Sequence, residues 1–168
     1  STRHQRLDAA RAGVTHSMSY LGWLRALETF GMRWSDLTVV RPEDGPTISL
    51  PPMLGAILMT LLEQTKSSQH ATADVVVAYT TYSGLSLGNW LELLAADLPP
   101  GETESNAFVL CKSNGSAWTS HLYRHKFLYP ALYACQASGD PFLRQFNGID
   151  RPTIPMAFWS FNTQRRTG

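Results

Sequence analysis

Apolar side chains recur at helical spacing in several parts of this chain. Within residues 19–30 they follow the three-four spacing of a helix with one buried face, which would consist of Tyr20, Trp23, Leu24, Leu27 and Phe30. Gly31 is a suitable stop for this helix. A shorter helix is expected over residues 5–12. The pattern therefore predicts two helices before the first strand.

Two further helices are predicted in the second half. Residues 86–97 form a helix that Ser86 caps, with an apolar face made of Trp90, Leu91, Leu94 and Leu98. The longest helix covers residues 119–137, with Thr119 or Ser120 as its cap and a kink expected at Pro130. Residues 140–146 and 156–164 are read as short helices, with a loop between them.

Short β-branched or apolar runs predict the strands. They lie at residues 37–40, 47–50, 55–62, 75–79 and 108–111. The order is helices, then a small sheet, then helices, which favours an α+β fold over alternating β-α units. We therefore expect a mainly helical domain with a small antiparallel sheet, spanning residues 1–168 as a single unit.

Composition narrows the possible partners. Apolar residues make up 43% of the chain and charged residues 16%, so a packed core is expected and extended disorder is excluded. Fourteen basic residues nearly balance 13 acidic ones, for a net charge of +1. This balance excludes a polybasic protein that wraps nucleic acid, so any anion binding must be local.

Cysteine content and hydropathy argue against disulfides, zinc sites and membrane spans. Cys111 and Cys135 are too few for a disulfide scaffold or a CxxC zinc site, and buried thiols in a reducing, intracellular compartment are expected. The chain shows no signal peptide and no apolar run of about 18 residues, so no membrane span is expected. It also lacks the glycine-rich loops that bind nucleotides.

Four cationic positions are candidates for chemistry. His121 and Arg124 are three residues apart near a capped helix start, where both can hold a phosphate; the alternative is a surface pair without function. Arg25 precedes Glu28 by three residues, so a simple ion pair on one helix is its alternative role. Lys66 lies in a polar connection and could equally be a solvated loop lysine.

The order of these positions resembles the tyrosine recombinases, the phage-integrase-like enzymes that break and rejoin DNA. Residues 24–28 and 32–37, Leu-Arg-Ala-Leu-Glu and Met-Arg-Trp-Ser-Asp-Leu, are similar to the family's first box. Thr65-Lys66 looks like its catalytic lysine, and residues 121–127, His-Leu-Tyr-Arg-His-Lys-Phe, look like its second box. The resemblance covers about residues 20–165 and implies the catalytic core without the amino-terminal core-binding domain, as a candidate fragment.

The resemblance implies a role for each matched residue. Arg25 and Arg124 would bind the scissile phosphate and stabilise the charge that builds on it. Lys66 would protonate the leaving 5′ oxygen, and His121 would move protons and hold the phosphate. This chemistry needs no metal ion and no other cofactor.

The sequence departs from the family where the nucleophile should stand. Ile149 occupies the place of a second His or Trp, and Phe158 occupies the place of the nucleophilic Tyr. A phenylalanine ring has no hydroxyl with which to form a phosphotyrosine link. We therefore expect cleavage to be lost. Arg165 and Arg166 are further candidates for contacts with backbone phosphates, or else part of a charged tail.

Three hypotheses follow. The first is a degenerate recombinase-like core with residual DNA or phosphate binding. The second is a domesticated core that serves as a structural subunit of a larger protein assembly, which the low charge and five tryptophans favour. The third is an active recombinase whose tyrosine lies beyond Gly168. An enzyme acting on small molecules ranks last, because no acid-base or metal set was found.

Overall fold

A computed structural model describes residues 2–44, 54–63 and 71–139 of the chain. Helices precede and follow a three-stranded sheet, so within these ranges the α+β expectation is confirmed. The elements are α1 (Arg3–Gly22), α2 (Ala26–Phe30), β1 (Leu37–Val40), β2 (Leu54–Glu63), β3 (Ala71–Thr80), α3 (Leu87–Asp97), α4 (Ser120–Tyr123), a π-helical turn (Arg124–Leu128) and α5 (Tyr129–Ala137), with short 3₁₀ turns at Trp34–Asp36 and Pro42–Asp44.

The sheet is an antiparallel meander in the order β1-β2-β3. Ile57 of β2 lies opposite Val39 on one side and Val77 on the other. Alternate residues of β2 and β3 face the core, since Ile57, Met59, Leu61, Val77 and Tyr79 are buried. The strands predicted at residues 37–40, 55–62 and 75–79 are confirmed, and β3 begins four residues earlier than predicted.

The strand predicted over residues 108–111 is wrong. This segment forms only isolated bridges, between Arg33 and Phe108 and between Cys111 and Ala117. Its backbone changes partner from one residue to the next, because Val109 donates to the carbonyl of Met32 whereas Leu110 accepts from Trp118. Each partner meets the segment at a single bridge, so no ladder forms. The strand predicted at 47–50 and the helices predicted at 140–146 and 156–164 lie outside the described residues.

Helix α1 is much longer than the predicted helix at residues 5–12. Its buried face carries Leu7, Val14 and Met18 at helical spacing, but also the fully buried polar residues Thr15 and Ser17. Thr15 satisfies its hydroxyl by donating to the carbonyl of Arg11 at 2.8 Å. Small residues on this face let α3 approach closely, as a Cβ on Gly13 would lie 2.3 Å from the Trp90 ring.

Helix α3 matches its prediction. Ser86 caps it by accepting a hydrogen bond from the backbone of Asn89 at 3.1 Å. Leu91, Leu94 and Leu98 are buried, and Trp90 packs against the core.

The helix predicted over residues 19–30 is wrong, because the chain breaks it at Trp23. Trp23 adopts the left-handed conformation (φ 53°, ψ 32°), and α2 begins only at Ala26. The predicted buried face splits as a result. Leu24 and Phe30 are buried, whereas Tyr20 is 38%, Trp23 61% and Leu27 86% exposed. Gly31 ends α2 as predicted.

The helical segment 120–137 consists of α4, the π turn and α5 in succession. Thr119 caps it by accepting from the backbone of Leu122 at 3.2 Å, as predicted. The backbone N–H of Tyr129 donates to the carbonyl of Arg124, five residues back. Pro130 has no N–H to donate to Lys126, and its ring crowds the carbonyl there. The distortion predicted at Pro130 is thus accommodated one turn earlier, as a π turn.

A cluster of charges on α1 holds segment 120–137 in place. Asp8 pairs with Lys126 at 2.9 Å, with His4 at 3.3 Å and with Arg11 at 3.5 Å. Arg11 is buried, and its guanidinium lies 5.8 Å from the centre of the Trp118 ring. One half-buried carboxylate therefore satisfies two cations from separate parts of the fold.

The two cysteines differ in burial. Cys111 is buried, as expected, and both its burial and the nearby Glu102 carboxylate raise the pKa of its thiol. Cys135 is exposed, so the expectation of two buried thiols is wrong for it, because it lies on the solvent side of α5. Among the described helices, none is both long and apolar enough to cross a membrane.

We predict that Asp8→Asn lowers the free energy of unfolding by about 2 kcal/mol, because it leaves the buried Arg11 without its carboxylate. Asp97→Asn is the matched control: it removes the more exposed ion pair with Arg6 and should cost clearly less than Asp8→Asn. Urea denaturation of the three proteins measures the difference. Equal losses in the two variants would contradict a structural role for the Asp8 cluster.

We predict that Trp23→Gly raises stability by about 0.5–1 kcal/mol, since glycine adopts a positive φ without the cost that a tryptophan pays. The 61% exposed indole loses little burial in this change. Trp23→Ala is the control, because alanine keeps the conformational cost and should not stabilise. Thermal or urea denaturation gives the sign, and a chain in which glycine destabilises more than alanine does not have this helix break.

Candidate functional site

Arg25 lies at the amino-terminal end of α2, outside the helix itself. Its backbone is extended (φ −76°, ψ 161°), and its N–H donates to Oε2 of Glu28 at 2.5 Å. The Glu28 carboxylate thus caps the helix backbone, and the ion pairs among the described residues do not join it to the guanidinium of Arg25. The simple Arg25–Glu28 ion pair considered from the sequence is therefore not formed, and the Arg25 side chain is exposed.

A cavity of about 520 Å³ opens beside Arg25, between α2, the 3₁₀ turn and β2. Buried Met32 and Leu61 provide apolar lining, while Arg25, Glu28 and Asp36 provide charge. Asp36 already accepts a hydrogen bond from the backbone of Arg33 at 2.9 Å. Both carboxylates accept backbone hydrogen bonds and keep their negative charge, so the cavity presents one guanidinium beside two carboxylates.

Arg124 and His121 lie on the neighbouring helical segment. Tyr123 between them is buried, and its ring centre lies 6.4 Å from that of Phe30 at the end of α2. This aromatic contact places α4 beside α2, so the two matched boxes are neighbours in space. Neither His121 nor Arg124 is among the residues that line the Arg25 cavity. The structure thus brings their elements together without joining all three side chains in one pocket.

No residue in the described ranges neutralises the charge of Arg124. Its side chain is half-buried, and its Nε is shielded from solvent without a hydrogen-bond partner. Burying a guanidinium nitrogen without an acceptor is costly, so an external anion would lower the energy of this arrangement. His121 is exposed one turn earlier on the same segment.

Most other cations in the described ranges have a partner. Arg3 donates to the carbonyl of Asp97, and Arg33 to that of Asn106. Four further cations form ion pairs with carboxylates: Arg6, Arg11, Arg41 and Lys126. The side chains of Arg25, Arg124 and Lys112 have no hydrogen bond or ion pair with another described residue.

The other predicted site residues lie outside the described ranges. They are Lys66, Ile149, Phe158, Arg165 and Arg166. Their predicted roles, and the predicted loss of the nucleophile, therefore remain predictions from the sequence.

Sequence reasoning missed the position of His125. It gave this residue no role of its own, although the four residues that separate His125 from His121 place both on one helical face. The two imidazole centres lie 4.2 Å apart, and the Tyr129 ring stands edge-on to His125 at 5.1 Å. The described part of the chain contains no group of three or more side chains suited to hold a metal ion.

Comparison with known proteins identifies no family for this chain, so its function has to be argued from the site. No protein-family model matches the sequence, and no curated protein shows significant similarity to it.

Proposed function

We propose that this chain is a recombinase-like core that binds the phosphate backbone of DNA without cutting it. Arg25 and Arg124 would supply the guanidinium contacts and His121 a further donor. The observation that carries the proposal is which described cations form an ion pair or hydrogen bond within the fold and which do not. Two arginines that the family resemblance singles out are among the few described cations left without a partner in the fold.

The contrast with the paired arginines supports this proposal. A protein with nearly equal numbers of acids and bases can neutralise most of its cations internally, and the cations around α1 and α3 follow that pattern. Glu28 is close enough in sequence to pair with Arg25, yet it caps the backbone instead. Guanidinium groups left in this state favour planar, two-pronged contacts with phosphate oxygens.

Phe158, which stands where the family has its nucleophilic tyrosine, supports binding over cleavage. A phosphate held by cations alone gains charge stabilisation, but strand transfer also needs a nucleophile that forms a covalent link. Incubation of a chain that extends beyond Gly168 with a nicked DNA duplex tests whether the protein cleaves DNA. A covalent protein–DNA adduct would establish an active recombinase and overturn the non-cleaving proposal.

We predict that the native chain binds a fluorescent DNA duplex with an affinity that falls as salt rises from about 50 to 200 mM. Arg124→Ala should weaken binding to all sequences alike and reduce the slope of log affinity against log salt by about 0.9, the value for one phosphate contact. Arg25→Ala should act in the same direction. Fluorescence anisotropy measures both quantities.

Lys112→Ala is the matched control for this experiment. It removes one equally unpaired positive charge, but from the loop before α4, outside the two matched boxes in sequence. Circular dichroism of each variant establishes that it is folded. Absence of binding by the native chain at low salt would refute the proposal. So would an equal loss in Lys112→Ala and Arg124→Ala, which would show a general charge effect.

A second candidate function, a structural subunit of a protein assembly, is favoured by a different observation. Trp23 and Leu27 flank Arg25 in sequence and are 61% and 86% exposed. Large apolar side chains exposed near one another are common at protein–protein interfaces. Sedimentation of the protein isolated from its native source distinguishes the two functions, because a subunit should sediment as a stoichiometric complex and a free DNA-binding domain should not.

A further inference from the structure

The proposed DNA contact uses His121 alone and does not account for the close pair that His121 forms with His125. Both side chains are exposed, and their ring centres lie only 4.2 Å apart with planes inclined at 43°. Neither imidazole has a hydrogen bond or ion pair with another residue in the described ranges. Their contact with each other and the edge contact of His125 with Tyr129 are the ring contacts described for this pair.

The other described histidines have different surroundings. His4 faces the carboxylate of Asp8 at 3.3 Å, and His16 stacks on the ring of Tyr20 with centres 6.1 Å apart. Each of these contacts explains the position of its imidazole within the fold. The 121–125 pair is distinct because two imidazoles face each other.

We propose that His121 and His125 form a two-imidazole clamp for a divalent transition-metal ion. Neutral imidazole nitrogen is a preferred ligand of Zn²⁺, Ni²⁺ and Cu²⁺. Because both side chains are exposed, rotation about their side-chain bonds can bring one nitrogen of each ring to the usual distance of about 2.0–2.1 Å from a shared ion. Water or an external anion completes the coordination, because the described residues offer no third ligand here.

The backbone that carries the clamp is held in place before any metal binds. Tyr123, between the two histidines, is buried against Phe30. Lys126, directly after His125, is tied to Asp8 on α1. Assembling a metal site costs free energy because a helix and two side chains must become ordered. In this fold the helix is ordered before any metal binds, so only the side chains remain to be fixed.

Neighbouring charges shape what the clamp can hold. The Asp8 carboxylate offsets the positive charge of Lys126, whereas Arg124 keeps its charge and lies between the two histidines in sequence. Arg124 therefore weakens the attraction for a bare cation but favours an anion as a further ligand of the bound ion. The expected order of affinity is Cu²⁺ above Ni²⁺ and Zn²⁺, which follows the general order for nitrogen ligands.

We predict that the native chain binds one Cu²⁺, Ni²⁺ or Zn²⁺ ion at this pair, measured by calorimetry at neutral pH. His121→Gln and His125→Gln should each weaken binding by about tenfold or more, since loss of even an outer-shell partner costs that much. The double variant should be no weaker than either single variant, because one imidazole alone cannot chelate. Zn²⁺ should shift the ring NMR signals of His121 and His125 only.

His4→Ala is the matched control, because it removes an exposed imidazole that faces a carboxylate. Unchanged metal affinity in the double variant would overturn the proposal, as would a loss in His4→Ala equal to that in His125→Gln. The outcome is separable from DNA binding. His125→Gln should leave DNA affinity in the presence of a chelator unchanged, and Arg124→Ala should leave the metal site in place.

Discussion

The left-handed conformation of Trp23 is the constraint on which the arrangement of the candidate site depends. It ends α1 after 20 residues and lets the chain turn before α2 begins. Without this break, Arg25 would lie inside a continuous helix, where Glu28 would be its natural ion-pair partner. The break instead places Arg25 at a helix start, and Glu28 caps the backbone there. An unfavourable backbone angle at one residue thus leaves the Arg25 guanidinium without an ion pair among the described residues.

The described cations fall into two groups: those that form ion pairs within the fold and those that do not. Asp8 and Asp97 hold cations that bind α1 to the rest of the domain. Arg25 and Arg124 remain outside these clusters, although α2 and α4 are in contact through Phe30 and Tyr123. Sequence spacing identified both arginines as candidates, but it could not establish their pairing state. That state depends on which carboxylates lie nearby in space and on whether backbone groups already occupy them.

The sequence predicted the regular parts of the fold well and its exceptions poorly. The caps at Ser86 and Thr119 were readable because a side-chain oxygen stands directly before an apolar helical run. The extent of α1 was not, because its buried face includes Thr15 and Ser17, which weaken the apolar pattern. The break at Trp23 was also hidden, since an aromatic residue gives no local signal for a positive φ.

The π turn at Arg124–Leu128 has a consequence for how this segment can vary. A π turn contains one residue more than an α-helical turn, so it is equivalent to a single-residue insertion that the helix absorbs locally. A shorter relative that lacks one residue here could adopt a plain α-helix and keep α5 on the same side of the domain. Alignments of this segment should therefore tolerate a one-residue gap just before Pro130 without any change in the fold.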